Sequence, residues 1–462
     1  MRRLLPTLLA ATLLAAPAAA AGAPSVAPAR EFVPRQLVVK FKGQHSGRLT
    51  TLPRRVGVRE AVAALRRSPD VAYAAPNYIA TASDFFPDDP GTSSRAGAPG
   101  GWTAKQWNFL PRESTANPAL PTSAGGIDVL DAWQNLIEAG RPGASGITVA
   151  VLDTGIAYRR LGKRKHGKGA RIRPSPDLSF KQFAEGYNFV KPGRPPVDAN
   201  GHGTHVASTI AEETNNGLAL TGIAYGARLM PVQVLNSAGR GQASRIAKGI
   251  RFAVDHAAQV INMSFNFGCG KEVPEVEEAL RYAYARGVIT VASVGNLGSE
   301  SCVSPPATSP HVIGVGGSTQ GGCLGSYSLS GVDVDMVAPG GGPPLAGCPS
   351  VFGGSIYQLT FKPKSTTRFG LPGYYVGTSM AAAHVSGVAA MVLAAHVLPP
   401  KIGGKALVEA VEQRLALTAH SLGLSRQQEG AGLIDANLAT DPACQAECLG
   451  HARSPRSPDT GP

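Results

Sequence analysis

Between Gly125 and Ala439 five apolar runs alternate with helical stretches, and that alternation limits the fold more than any other feature of the chain. GITVAVLD, ARLMPVQVL, AQVINMSF, GVITVASVGN and HVIGVGG stay apolar along their length. A strand wetted on one side alternates apolar with polar residues, whereas a strand covered on both faces does not. Between these runs stand HVASTIAEETN, ASRIAKGIRFAVDHA and VPEVEEALRYAYARG, which read as helices. Strands alternating with helices predict an α/β domain of three layers, a mostly parallel sheet with helices on both faces. In such sheets functional residues gather at the carboxyl ends of the strands.

The flanks have a different character. MRRLLPTLLAATLLAAPAAAAGA places two arginines before a short apolar run and small residues, so residues 1–21 read as a secretory signal peptide rather than a membrane anchor. Residues 30–82 contain a strand (RQLVVKFKG), an amphipathic helix (VREAVAALRRS) and a second strand (VAYAAPNYIA), a small α+β unit. A Pro/Gly/Ser-rich linker opens the segment 83–123, the main domain takes 124–440, and a short polar tail fills 441–462. The net charge is +13, but no nucleic-acid-reading motif accompanies it, so it bears on solubility and encounter. Six cysteines follow the signal. In an exported chain an even number favours disulfides, and of the fifteen possible connectivities sequential pairing is the expectation.

Four polar residues sit where chemistry is expected. Asp153 closes GITVAVLD, His202 lies in DANGHGTHVAS with His205 as its rival, Asn296 follows GVITVASVG, and Ser379 begins the helix in YVGTSMAAAHVSG. Each has a plain structural reading: turn former, loop residue, turn former and helix N-cap. As a set they supply a nucleophile, a base, a carboxylate to orient that base, and a donor for an oxyanion.

VAVLDTGI, GHGTHVAS, VINMSF, VGN and GTSMAAAHVSG resemble the motifs of the subtilisin-like serine proteases, the subtilases, in the family's order Asp, His, Asn, Ser. The resemblance spans Gly125 to Ala439 and implies a subtilisin-like fold. It further implies an endopeptidase with Ser379 as nucleophile, His202 as base and acid, Asp153 as its orienter and Asn296 as oxyanion donor; His205 is then structural. Residues 31–82 resemble the family's inhibitory propeptide, which implies an autoprocessed zymogen; a retained accessory domain is the alternative. The resemblance also places Ser264, Phe265 and Asn266 on one substrate-binding edge, Gly239, Arg240 and Gly241 on the other, and Ser304 on a wall of the primary specificity pocket. Phe-Asn-Phe-Gly follows Ser264 where the family commonly has Leu-Gly-Gly, and a Cys269–Cys302 bridge would brace the two pocket walls. Neither wall carries an acidic residue, so no strong preference for basic side chains is expected.

No cofactor is implied for catalysis. A structural calcium ion is expected at Asp177 and Asn216, which align with family ligands; a simple Asn-Asn-Gly turn is the alternative. The basic insertion 159–173 matches no family motif and reads as a solvated loop, with a contact to an anionic surface or substrate as the alternative. An α/β-hydrolase esterase is disfavoured, because GTSMA lacks the G-x-S-x-G elbow and Ser comes last in the chain. A catalytically dead binding protein is disfavoured by the presence of all four residues. The expectation is a secreted, monomeric protease acting on protein or peptide substrates.

Overall fold

The computed structural model describes residues 32–78, 85–113, 120–162, 171–298, 302–348 and 353–444. The chain divides into two compact units, Met1–Thr81 with Asn117–Ala119, and Ala82–Ala116 with Leu120–Pro462. The signal segment and most of the C-terminal tail lie outside the described residues.

In the first unit, β1 (Phe32–Phe41), β2 (Arg48–Thr51), α1 (Val58–Arg66) and β3 (Val71–Tyr78) form an antiparallel sheet of order β2-β1-β3 with one helix. Val58 and Val62 lie four residues apart, hence on one face of α1, and bury against Leu37, Val39 and Ala74. The sequence reading lacked β2. Its four residues are all exposed, so no apolar pattern marks it.

The second unit opens with α2 (Val129–Glu138), β4 (Thr148–Asp153), β5 (Tyr187–Asn188), α3 (His202–Ala211), β6 (Arg228–Gln233) and α4 (Ala243–Asp255). There follow β7 (Val260–Met263), α5 (Pro274–Ala285), β8 (Ile289–Ser293), β9 (Ile313–Ser318), β10 (Met336–Pro339), and a small hairpin of β11 (Thr360–Phe361) and β12 (Phe369–Gly370). Four helices close the unit: α6 (Thr378–Ala394), α7 (Lys405–Leu417), α8 (Arg426–Glu429) and α9 (Ala436–Thr440). Seven strands pair in parallel in the order β10-β9-β8-β7-β4-β6-β5. The five apolar runs are β4, β6, β7, β8 and β9. The two short additions, β5 and β10, sit at the edges.

Period-two geometry explains why β4 is apolar throughout. Val149 and Val151 join the core built with α2, α3 and α6, while Ala150 and Leu152 join the core built with α4 and α5. The three-layer α/β architecture follows from covering both faces. Helix α6 is the most enclosed element, with every residue except Leu393 buried, and a helix apolar all round belongs in a core. Gly387 lets it approach its neighbour, since an added Cβ would stand 2.8 Å from Ile223 Cγ2. Among the described residues no helix is long and apolar enough to cross a membrane.

Two of the sequential cysteine pairs are disulfides, Cys269–Cys302 and Cys323–Cys348, with Cα–Cα separations of 5.7 and 6.2 Å. The remaining expected pair, Cys444–Cys448, reaches beyond the described residues, as do residues 163–170 of the basic insertion.

Candidate active site

Asp153 is the last residue of β4, fully buried, and its carboxylate meets His202, the first residue of α3. Both Asp153 oxygens lie 2.9 Å from His202 Nδ1, and the Thr154 N–H donates to Oδ1 at 2.6 Å. A carboxylate can only accept here, so the proton sits on Nδ1 and Nε2 carries the lone pair. The His202 side chain keeps 26% of its surface exposed. Gly203 is required by the close fit, because a Cβ there would come within 2.2 Å of the Gly155 carbonyl and 3.0 Å of Asp153 Oδ1.

The loop before His202 is built on Asp198, a residue the sequence reading did not single out. Its buried carboxylate accepts from Thr154 Oγ1 (2.9 Å), the N–H groups of Asn200 (2.7 Å), Gly201 (3.0 Å) and Thr204 (3.1 Å), and Thr204 Oγ1 (2.6 Å). One acidic side chain thus ties the end of β4 to the start of α3. The available signal was an Asp three residues ahead of a glycine at a helix start, in DANGHG.

Electrostatics separates the three histidines of this region. Burial pulls the His202 pKa down, but the charge and hydrogen bond of Asp153, with the charge of Asp198, outweigh it and hold the net value above 6.5. His205 is pushed down to about 3, chiefly by burial, with Nε2 donating to the Ile356 carbonyl at 3.0 Å and its ring stacked on Tyr375. His384 is pushed down to about 4 by burial, its Nδ1 donating to the Met380 carbonyl and its Nε2 accepting from Asn108 Nδ2, both at 2.8 Å. Both are neutral core residues, and of the two histidines in GHGTH only His202 meets a carboxylate.

Ser379 is the second residue of α6, not its N-cap. That position falls to Gly377, whose φ of 145° suits glycine, so the N-cap reading of Ser379 is corrected. The Ser379 hydroxyl donates to the Ser264 carbonyl at 3.2 Å, and no hydrogen bond joins it to His202. Ser264 Oγ in turn donates to the Ser379 carbonyl at 2.8 Å and accepts from Asn262 Nδ2 at 2.9 Å, anchoring the start of α6 to the end of β7. Asn296 Oδ1 accepts both the N–H and the hydroxyl of Thr378 at 2.9 Å. A backbone N–H can only donate, so this contact assigns the amide orientation and leaves Nδ2, the donor end, for a ligand. Thr378 was not foreseen as part of the site.

Of the two expected binding edges, 239–241 is exposed, whereas in 264–266 Ser264 is buried, Phe265 half-buried and Asn266 exposed. Ser264, Phe265 and Asn266 follow β7 directly, with Phe265 packed on the α4/α5 side of the sheet. Gly239 and Arg240 sit in an exposed turn that returns through a bridge between Gly241 and Leu235. Ser304 is buried with its hydroxyl unpartnered. The Phe267 N–H donates to the Pro305 carbonyl at 2.8 Å beside the Cys269–Cys302 bond, so the two expected pocket walls are joined twice. A cavity of about 360 Å³ against that wall, lined by Gly270, Cys302, Val303 and Val332, contains none of the four chemical residues.

At the other expected site, Asn216 Nδ2 donates to Asp177 Oδ1 at 2.7 Å. Asp177 Oδ2 and Asn216 Oδ1 are buried acceptors with no partner. Burial, then the charges of Asp89 and Glu213, push Asp177 up to about 8 against the lowering effect of the Asn216 bond. Asp89 adds a carboxylate that accepts from the Asn215 and Asn216 N–H groups at 2.8 and 3.2 Å. No group of three or more His, Cys, Asp or Glu among the described residues is arranged as a metal cage, so any ion here would draw on mixed side-chain and backbone oxygens.

The chain resembles known proteins across most of this unit. Residues 144–433 match the subtilase family. The thermophilic serine proteinase of Bacillus sp. strain AK1 is 33% identical over 338 residues, covering 73% of this chain and 67% of that one. Subtilisin BL of Lederbergia lenta is 36% identical over 297 residues, 64% of this chain and 91% of its own. Among solved structures, a protease from Pseudoalteromonas arctica matches with a TM-score of 0.57 at 27% identity, over 77% of this chain and 99% of that one. The chain belongs to the subtilase family and is a subtilisin-like serine endopeptidase.

Proposed function

We propose that this endopeptidase works through Asp153, His202 and Ser379, with Asn296 completing the site. The observation that carries the reading is the Asp153–His202 pair, which protonates Nδ1 and leaves Nε2 to act as a base. A peptide carbonyl bound at Ser379 draws the hydroxyl off its resting bond to the Ser264 carbonyl. His202 Nε2 then takes the hydroxyl proton as Oγ attacks, and Asp153 stabilises the resulting imidazolium. The tetrahedral oxyanion receives Asn296 Nδ2–H and the Ser379 N–H, which lies in the first turn of α6 where N–H groups have no intrahelical partner. His202 hands the proton to the leaving amine; water then repeats the sequence on the acyl-enzyme. The substrate runs extended between 239–241 and 264–266.

The same reading extends to maturation. Residues 1–21 direct export, residues 30–82 are an inhibitory propeptide, and the enzyme removes it and acts outside the cell as a monomer. The N-terminal sequence, the separate first unit and the Pro/Gly-rich segment after it support this order. A calcium ion held by Asp177 and Asn216 would neutralise the buried, partnerless oxygens described above and stabilise the loop that follows α3.

Ser379→Ala should abolish casein hydrolysis and leave the full-length chain uncut; residual hydrolysis at the wild-type rate would refute the assignment of the nucleophile. Asn296→Ala should keep KM and lower kcat by roughly 10²–10³-fold, since its donor serves only the oxyanion; a selective rise in KM would place Asn296 in ground-state binding instead. His202 must be neutral to act, and its pKa is raised, so kcat/KM should climb with pH through a midpoint above 6.5; a midpoint below that value would contradict the electrostatics. For the calcium site, the Ser379→Ala protein should melt lower in EDTA than in excess calcium. A cation present at about 100 times its Kd contributes about 2.7 kcal/mol. Asp177→Asn should remove the difference, and equal midpoints in the parent would rule the ion out.

A further inference from the structure

Two basic segments meet near the start of α3, where the hairpin strand bonds to Gly201. The insertion after β4 contributes Arg160, Arg171 and Arg173, and the β11–β12 hairpin contributes Lys362, Lys364 and Arg368, all exposed. Backbone bonds tie the two together. The Arg173 N–H donates to the Thr366 carbonyl at 3.0 Å, and Thr366 Oγ1 donates to the Arg171 carbonyl at 2.7 Å. Ile172 and Phe361 share a small core with Ala157 and Val197. Among the described residues none of the six side chains meets a carboxylate. Neither 159–173 nor 360–370 contains an acidic residue.

The position of this patch is set by the fold. Thr360 Oγ1 donates at 2.7 Å to the carbonyl of Gly201, the neighbour of His202, and the chain after β12 leads directly into Ser379. Residues 356–361 pack with α3 on one face of the sheet, where Ser208 Oγ donates to the Leu359 carbonyl at 3.3 Å. The edges 264–266 and 239–241 are taken as the acyl side because the resemblance sets the primary specificity pocket beside 264–266. They lie toward the opposite face, where Phe265 and Ala243 pack on the α4/α5 core. A peptide that reaches Ser379 along 264–266 therefore leaves the site toward the basic pair of loops.

From this juxtaposition, and resting on the active-site reading above, we infer that the surface made by Arg160, Arg171, Arg173, Lys362, Lys364 and Arg368 selects substrates with acidic residues on the leaving-group side of the scissile bond. The chain's own sequence around the end of its first unit has the same polarity. Residues 71–83 carry no charged side chain, whereas Asp84, Asp88 and Asp89 follow. Exposed cations without partners attract a passing carboxylate without the cost of breaking an existing pair, and several such contacts add along an extended peptide.

Three internally quenched peptides test this. Two share one acyl side and carry either Asp/Glu or Asn/Gln at the second to fourth leaving-group positions; the third moves the acids to the acyl side. With the mature enzyme at low salt, the first should show about three- to tenfold higher kcat/KM than its amide twin. The ratio should approach one near 1 M NaCl, where the screening length is about 3 Å. The combined variant Lys362→Glu, Lys364→Glu, Arg368→Glu should invert the ratio. A ratio near one at all salt concentrations would overturn the inference alone, and the wild-type salt series decides this without any variant. An equal advantage for the third peptide would overturn it in favour of steering by net charge. Failure to cleave any of the three would overturn it together with the active-site reading.

Discussion

A parallel sheet must be buried on both faces, and this constraint organises the molecule. β4 lies between β6 and β7 with helices above and below, so its length from Val149 to Leu152 admits only apolar residues. Polar chemistry is thereby confined to the strand ends. Asp153 is the first residue past that apolar stretch, and Ser264 and Asn296 follow β7 and β8 at the same edge. The helices supply the rest, because α3 and α6 begin at this edge and bring His202 and Ser379 on their first turns.

Burial also decides protonation. His205 and His384 lie in the interior and are neutral because desolvation penalises the charged form by more than the carbonyl each donates to favours it. His202 differs in having a carboxylate against Nδ1 and an exposed flank. Three histidines close in sequence or space therefore have different chemistry, and only geometry distinguishes them. Asp198 belongs to the same electrostatic unit. Its acceptor bonds hold the loop that carries His202.

Much of this was legible in the sequence, for identifiable reasons. Long apolar runs announced β4 and β6 to β9. Asp153, read at the close of one run, ends β4; Asn296, read just past another, follows β8; and His202, read in a Gly-flanked loop entering a helix, opens α3. The cysteine order matched Cys269–Cys302 and Cys323–Cys348. Two-residue β5 and fully exposed β2 carry too little pattern to be read. Asp198 and Thr378 escaped notice because each acts through hydrogen bonds to backbone or neighbouring side chains, and such bonds leave no periodic trace. Ser379 misled in another way. Serine is a good cap, but the preceding glycine adopts the backbone angle that the helix start requires, which frees the hydroxyl from capping.

Thr378 carries a consequence for redesign. It holds the carbonyl end of Asn296 with its N–H and hydroxyl, and the next residue along the same turn is Ser379. On the proposed mechanism the oxyanion donor and the nucleophile are therefore linked through a single threonine. A change at position 378 would release the Asn296 carboxamide from α6 while leaving both Asn296 and Ser379 themselves unaltered.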